Sequence, residues 1–270
     1  KTLGSSREYH RSQARQAQGL LRWFVGGGEC RARVHPHKGL CSNMGGACST
    51  KIEERTVIFC GLKGVGKTCL LYSMKLGRQA KDWHETNAYN YEVVPYTSRS
   101  KVSYKFHCWD LAGKEELRPL WKCFYNHTAV HFLLFVIDAS DRKRCADMGA
   151  CVRARYQPLL RLSCAHVLLT PPPPLSLSLS PPSSRTARPI FQWLINETKL
   201  RRAQIIVVAN RRAVTRHSTD TTMHPDEIRD ALAIDNDFSA RQVLIHYVDA
   251  KKSTGLKSLR DRLCDDIVDS

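Results

Sequence analysis

The sequence predicts an α/β fold organised around a phosphate-binding loop, and three observations predict it. Gly61-Leu62-Lys63-Gly64-Val65-Gly66-Lys67-Thr68 fits the pattern G-x-x-x-x-G-K-[ST] at every fixed position. Its setting is the second: residues 56–60 form a short β-branched and aromatic run, and residues 68–76 read as a helix with Leu70, Leu71 and Met74 on one side. The third is a pair of apolar runs, residues 130–137 and 204–209, of the kind that forms strands buried on both faces.

Each loop residue type has a reason in the chemistry. Gly61, Gly64 and Gly66 let the backbone curl so that successive N–H groups point inward at phosphate oxygens, and the positive end of the following helix faces the same anion. Lys67 is placed to reach the β- and γ-phosphates of a nucleotide, and the Thr68 hydroxyl to hold Mg²⁺.

Composition narrows the setting. The chain has 270 residues, 42% of them hydrophobic, which supports a packed core rather than a disordered chain. Eleven cysteines lie without a C-x-x-C pair or regular spacing, and no apolar run reaches membrane-spanning length, so reduced thiols in the cytosol are expected. The net charge of +17 invites a nucleic-acid reading, but its location argues against one. Residues 1–43 hold eight Lys/Arg against two acids, and residues 151–189 hold five Arg and no acid; both segments look foreign to the fold.

Residues 1–43 show no sustained period of 2 or 3.6. They are followed by Met44-Gly45-Gly46-Ala47-Cys48-Ser49, which fits the N-myristoylation pattern M-G-x-x-x-[ST], with Cys48 beside it for palmitoylation. That motif works only at a free N-terminus, so the expectation is a native start at Met44, with Gly45 and Cys48 acylated and the upstream residues a translated leader. A polybasic arm that binds an anionic surface is the rival reading of the same residues. Beyond the first helix, residues 91–97 and 101–109 read as a hairpin. Trp109-Asp110-Leu111-Ala112-Gly113-Lys114 and Arg118-Pro119-Leu120-Trp121 follow directly.

With the phosphate loop, Thr86 in the next connection, W-D-x-x-G and R-P-L-W in place, the chain resembles the Arf and Arf-like branch of the small GTPases over residues 44–150 and 190–270. The resemblance implies a P-loop NTPase fold, a doubly wound, mostly parallel six-stranded sheet with helices on both faces and with GTP or GDP at the carboxyl ends of the strands. It implies that Thr86 ligates Mg²⁺ when a γ-phosphate is present, that Asp110 reaches the ion through water and that the Gly113 N–H contacts the γ-phosphate. It further implies base contacts from Asn210, Arg211, Ala250 and Lys251. Tyr89, Trp109 and Phe124 fall where the family places an aromatic effector cluster, although ordinary core packing explains the same residues. Effector, exchange-factor and activator proteins are expected at residues 86–92 and 110–124, and the location is expected to be peripheral on intracellular membranes.

Four departures qualify this. Residues 151–189, with Pro171–Pro174 and repeated Leu-Ser, read either as a translated intron or as a Pro-rich insertion that recruits a partner, in neither case as packed structure. Ala213 stands where the family has the aspartate that reads guanine N1 and N2, so base discrimination should fall. Lys114 replaces the water-orienting glutamine and cannot both donate to and accept from a water, so hydrolysis should be impaired. Lys63, where Arf proteins carry an acid, is either a cation beside the γ-phosphate or a solvated lysine. The expected function is a membrane-trafficking switch with weak hydrolysis; the alternative is a pseudo-GTPase scaffold that keeps fold and anchor but does not cycle.

Overall fold

The computed structural model describes residues 52–80, 84–126, 128–146, 184–211, 222–234 and 242–265. The expectations for Gly45, Cys48 and Ala213, and for residues 1–43 and most of 151–189, therefore lie outside the described residues.

Six strands form one sheet: β1 (Ile52–Cys60), β2 (Tyr89–Thr97), β3 (Ser103–Leu111), β4 (Phe132–Asp138), β5 (Gln204–Asn210) and β6 (Val243–Val248). Their order is β2-β3-β1-β4-β5-β6, antiparallel only between β2 and β3. The central strands are apolar because both of their faces are covered. Every residue of β4 is buried, as is every residue of β5 after Gln204. Strand order reverses beside β1, so the loops after β1 and β4 part at the carboxyl edge and leave a crevice there.

The helices are α1 (Lys67–Leu76), α2 (Trp121–Asn126), α3 (Arg142–Cys145), α4 (Ala187–Ile195), α5 (Pro225–Leu232) and α6 (Leu256–Arg262). They cover both faces of the sheet, with α1 packed on α6, and α3 and α4 packed on α5. In α4 the apolar spacing puts Ala187, Ile190, Phe191 and Leu194 into the core, and Phe191 meets Phe135 at 5.1 Å between ring centroids. This helix starts at Ala187, three residues inside the stretch read as foreign to the fold. Pro189 sits in its first turn, where a missing N–H leaves no helical bond unmade. The Arg118 guanidinium also donates to the Ser184 carbonyl at 2.7 Å. In α5, Pro225 opens the helix and the Glu227 side chain reaches back to the His224 N–H at 2.8 Å.

Several boundaries differ from the sequence reading, β3 among them, which runs Ser103–Leu111 rather than 101–109. β1 begins at Ile52, four residues early, because Arg55 is buried by partners far along the chain: its guanidinium donates to the Leu263 carbonyl at 3.2 Å and lies 5.0 Å from the Tyr104 ring centre. β2 begins at Tyr89, pairing Tyr89 with Leu111 and Asn90 with Asp110. Among the described residues no helix is long and apolar enough to cross a membrane.

Candidate functional site

A cleft of about 700 Å³ opens at the carboxyl edge of the sheet, lined by the phosphate loop, the segment before β2, the segment after β3 and the ends of β5 and β6. The loop turns sharply because Gly66, with φ 94°, lies in the left-handed region, and a Cβ there would stand 2.4 Å from Asn210 Nδ2. Lys67, 6% exposed, arches back and donates to the Gly61 carbonyl at 3.1 Å and the Leu62 carbonyl at 2.7 Å. Burial pushes its ammonium down to about 8, an effect that the Asp110 charge partly opposes. Leu62 and Val65 turn their side chains into the core, so they offer the cleft backbone alone.

Three oxygens meet at the floor of the cleft. Thr68 Oγ1 lies 2.7 Å from Asp110 Oδ2 and 2.7 Å from Thr86 Oγ1, and Thr86 Oγ1 lies 3.0 Å from Asp110 Oδ2. Two hydroxyls bring two protons, and an ionised carboxylate brings none, so three such contacts cannot all be hydrogen bonds. Asn90 Nδ2 supports the cluster with 3.0 Å contacts to Thr86 Oγ1 and Asp110 Oδ2. Asp110 is fully buried, and its Oδ1 has no hydrogen-bond partner. An excess of lone pairs among hard oxygens suits a small divalent cation, and Mg²⁺ completes its shell with water and ligand phosphate. Among the described residues no group of three or more His, Cys, Asp or Glu side chains gathers to hold a metal, so a cation here relies on these hydroxyls.

Gly113 explains how the segment after β3 reaches the loop. A Cβ at this position would stand 2.4 Å from the Leu62 carbonyl carbon and 2.5 Å from Lys63 N, so only glycine permits the approach. Lys63 and Lys114 both contact Glu85 Oε1, at 2.9 Å and 3.2 Å, in pairs that stay largely exposed to solvent. Hydrogen bonds from these two ammonium groups, first from Lys63 and then from Lys114, hold the Glu85 carboxyl below its ordinary range.

At the other end of the cleft lie the residues expected to meet the base. Asn210 is buried, donating to the Val65 carbonyl at 2.9 Å and accepting from the Ala250 N–H at 3.2 Å. The Ala250 N–H is thus engaged by Asn210, and a ligand carbonyl has to share it. Arg211 lies with its guanidinium 5.2 Å from the centre of the Tyr247 ring, and Lys251 lines the cleft beside it. Tyr89, Trp109 and Phe124 form a half-buried triangle with centroids 5.1–5.7 Å apart.

Sequence reasoning missed Asn90 and Glu85. The hairpin register held a signal for Asn90, which sits directly across from Asp110. Nothing local marked Glu85, since its partners come from two other loops.

A glycine-rich loop between β1 and α1, joined through Thr68, Thr86 and Asp110 to the segments flanking the hairpin, defines a P-loop domain of small-GTPase architecture. The ADP-ribosylation factor family model matches residues 42–161. ADP-ribosylation factor-like protein 1 from Drosophila melanogaster and from Caenorhabditis elegans are each 35% identical over 92 residues, 34% of this chain and 47% of the relative. The chain thus spans about half the length of the curated relatives it matches. In fold it is similar to the Arl6 BBS3 small GTPase from Trypanosoma brucei, solved with the nucleotide analogue GppNp, at a TM-score of 0.51 and 18% identity over 78% of this chain and 95% of that one. This domain is thus similar in fold and, over residues 42–161, in sequence to the Arf and Arf-like proteins.

The depressed Lys67 predicts a pH dependence. Phosphate favours the ammonium form, so above about pH 8 binding must take up a proton and affinity falls, whereas below about pH 7 it is flat. Calorimetry of triphosphate binding in buffers of different ionisation enthalpy measures that uptake. Affinity that stays constant through about pH 9, with no proton uptake, contradicts the assignment.

Proposed function

We propose that this chain binds guanine nucleotide with Mg²⁺ and acts as a membrane-associated switch in vesicle trafficking, with slow hydrolysis and weakened base selectivity. The observation that carries the reading is the junction of Thr68, Thr86 and Asp110 beside Lys67. Thr68 and Thr86 hold the cation through their hydroxyls, with Asp110 behind them through water. The ion supplies charge neutralisation to the phosphates. Thr86 and Gly113 belong to the two segments that a γ-phosphate orders, which couples ligand state to residues 86–92 and 110–124. The Tyr89–Trp109–Phe124 triangle lies between those segments and offers effectors an aromatic surface. Weak selectivity is supported by Ala213 in the sequence and by the engagement of Ala250 N–H with Asn210. Membrane association is supported by the acylation pattern at Gly45 and Cys48.

A second reading, a pseudo-GTPase scaffold, is favoured by Lys114: it stands at the glutamine position and is paired with a carboxylate.

Lys67→Ala removes charge-assisted contacts of about 1.5–3 kcal/mol each, so nucleotide affinity should fall about 10- to 100-fold or more, and Thr68→Asn should remove the Mg²⁺ dependence. Ala213→Asp should sharpen the preference for GTP over ATP. Titration with fluorescent nucleotides reads all three. Tight GTP binding by the native chain with ATP excluded by orders of magnitude would defeat the weak-selectivity reading.

Acylation is tested separately. A Met44-initiated form should carry myristate on Gly45 and sediment with membranes, and Gly45→Ala should release it. One chain gives an association constant of only about 10⁴ M⁻¹, so a Cys48→Ser change should weaken sedimentation as well. A Gly45→Ala form that stays membrane-bound speaks against the acyl anchor.

A further inference from the structure

Each of the three segments around the γ-phosphate end of the cleft contributes one charged side chain, and the three meet: Lys63 from the phosphate loop, Glu85 immediately before Thr86, and Lys114 immediately after Gly113. Both lysines contact Glu85 Oε1. All three line the cleft together with Lys67, Thr68 and Thr86. Their backbones are fixed at close range, since Thr86 belongs to the oxygen cluster and Gly113 packs against the loop backbone.

We infer that Glu85 and Lys114 act as one composite group that orients the attacking water, Glu85 accepting and Lys114 donating. The inference rests on the nucleotide-binding reading above. A glutamine amide offers an acceptor and a donor in one side chain; an ammonium only donates and a carboxylate only accepts, so this pair restores between two residues what Lys114 alone lacks. A carboxylate in this place accepts from and orients a water rather than acting as a strong base. The water gives one hydrogen bond to Glu85, receives one from Lys114 and directs a lone pair at the terminal phosphorus. A new O–P bond forms as the P–O bond to the diphosphate breaks. The electron pair leaves on the diphosphate, and the proton of the water passes to the released phosphate. What turnover this chain has then runs through the pair, slowly, because Glu85 is 52% exposed and each side chain has freedom that a single amide lacks.

Single-turnover hydrolysis of Mg·GTP by the full chain, with affinity for a fluorescent GTP analogue as control, tests this. Glu85→Ala, which removes the acceptor, should slow hydrolysis about 10- to 100-fold, toward the low end for a positioned side chain, while affinity stays within about threefold, under 1 kcal/mol. Adding Lys114→Gln to that variant should recover the rate, because one amide then supplies both functions; a purely structural Glu85 gives no such rescue. Native-rate hydrolysis by Glu85→Ala with affinity retained, a slowed Glu85→Ala that Lys114→Gln does not rescue, or a native rate no faster than uncatalysed GTP each overturn the inference and leave nucleotide binding standing. A native chain that binds no nucleotide overturns both.

Discussion

The site depends on a shortage of protons. Thr68, Thr86 and Asp110 crowd three oxygens within 3.0 Å with only two hydroxyl hydrogens to share, and Asp110 Oδ1 is buried without a partner. Three loops distant in sequence therefore converge on a point whose lone pairs exceed its donors. Such a point favours a cation, and a cation favours phosphate. The sheet makes the convergence possible: β1 and β3 pair in parallel and end together, so the phosphate loop that leads from β1 to Thr68 at the start of α1 comes beside Asp110 near the end of β3.

How much of this was legible in the sequence follows from how local each feature is. The phosphate loop, α1 and the buried strands are written in contiguous residues, and they appear where the pattern puts them. Asn90 was one step away, visible only once the hairpin register set it opposite Asp110. Arg55 extends β1 through a carbonyl 208 residues away, and Glu85 joins lysines from two other loops, so neither has a local signature. The start of α4 at Ala187 was obscured by the proline- and serine-rich residues before it, whose composition overrides a short helical period.

Charge pairing changes the meaning of the substitutions. Lys114 alone reads as a damaged catalytic position and Lys63 alone as an added cation. With Glu85 between them, the three carry a net charge of +1 and an acceptor at the end of the cleft where water would attack. Because the pairs are largely exposed, they contribute little to folding, and their consequence is local chemistry.

The most direct test of the oxygen cluster is a paramagnetic one. Mn²⁺ substitutes for Mg²⁺ at hard-oxygen sites, and its resonance spectrum reports whether the ion is bound by protein and triphosphate together. The native chain with triphosphate should show one tightly bound Mn²⁺, and Thr86→Ala and Asp110→Ala should each weaken it while triphosphate still binds through Lys67. An unchanged Mn²⁺ spectrum and affinity in both variants would mean that the three oxygens do not form a metal site, and the account of the cleft would fail at its centre.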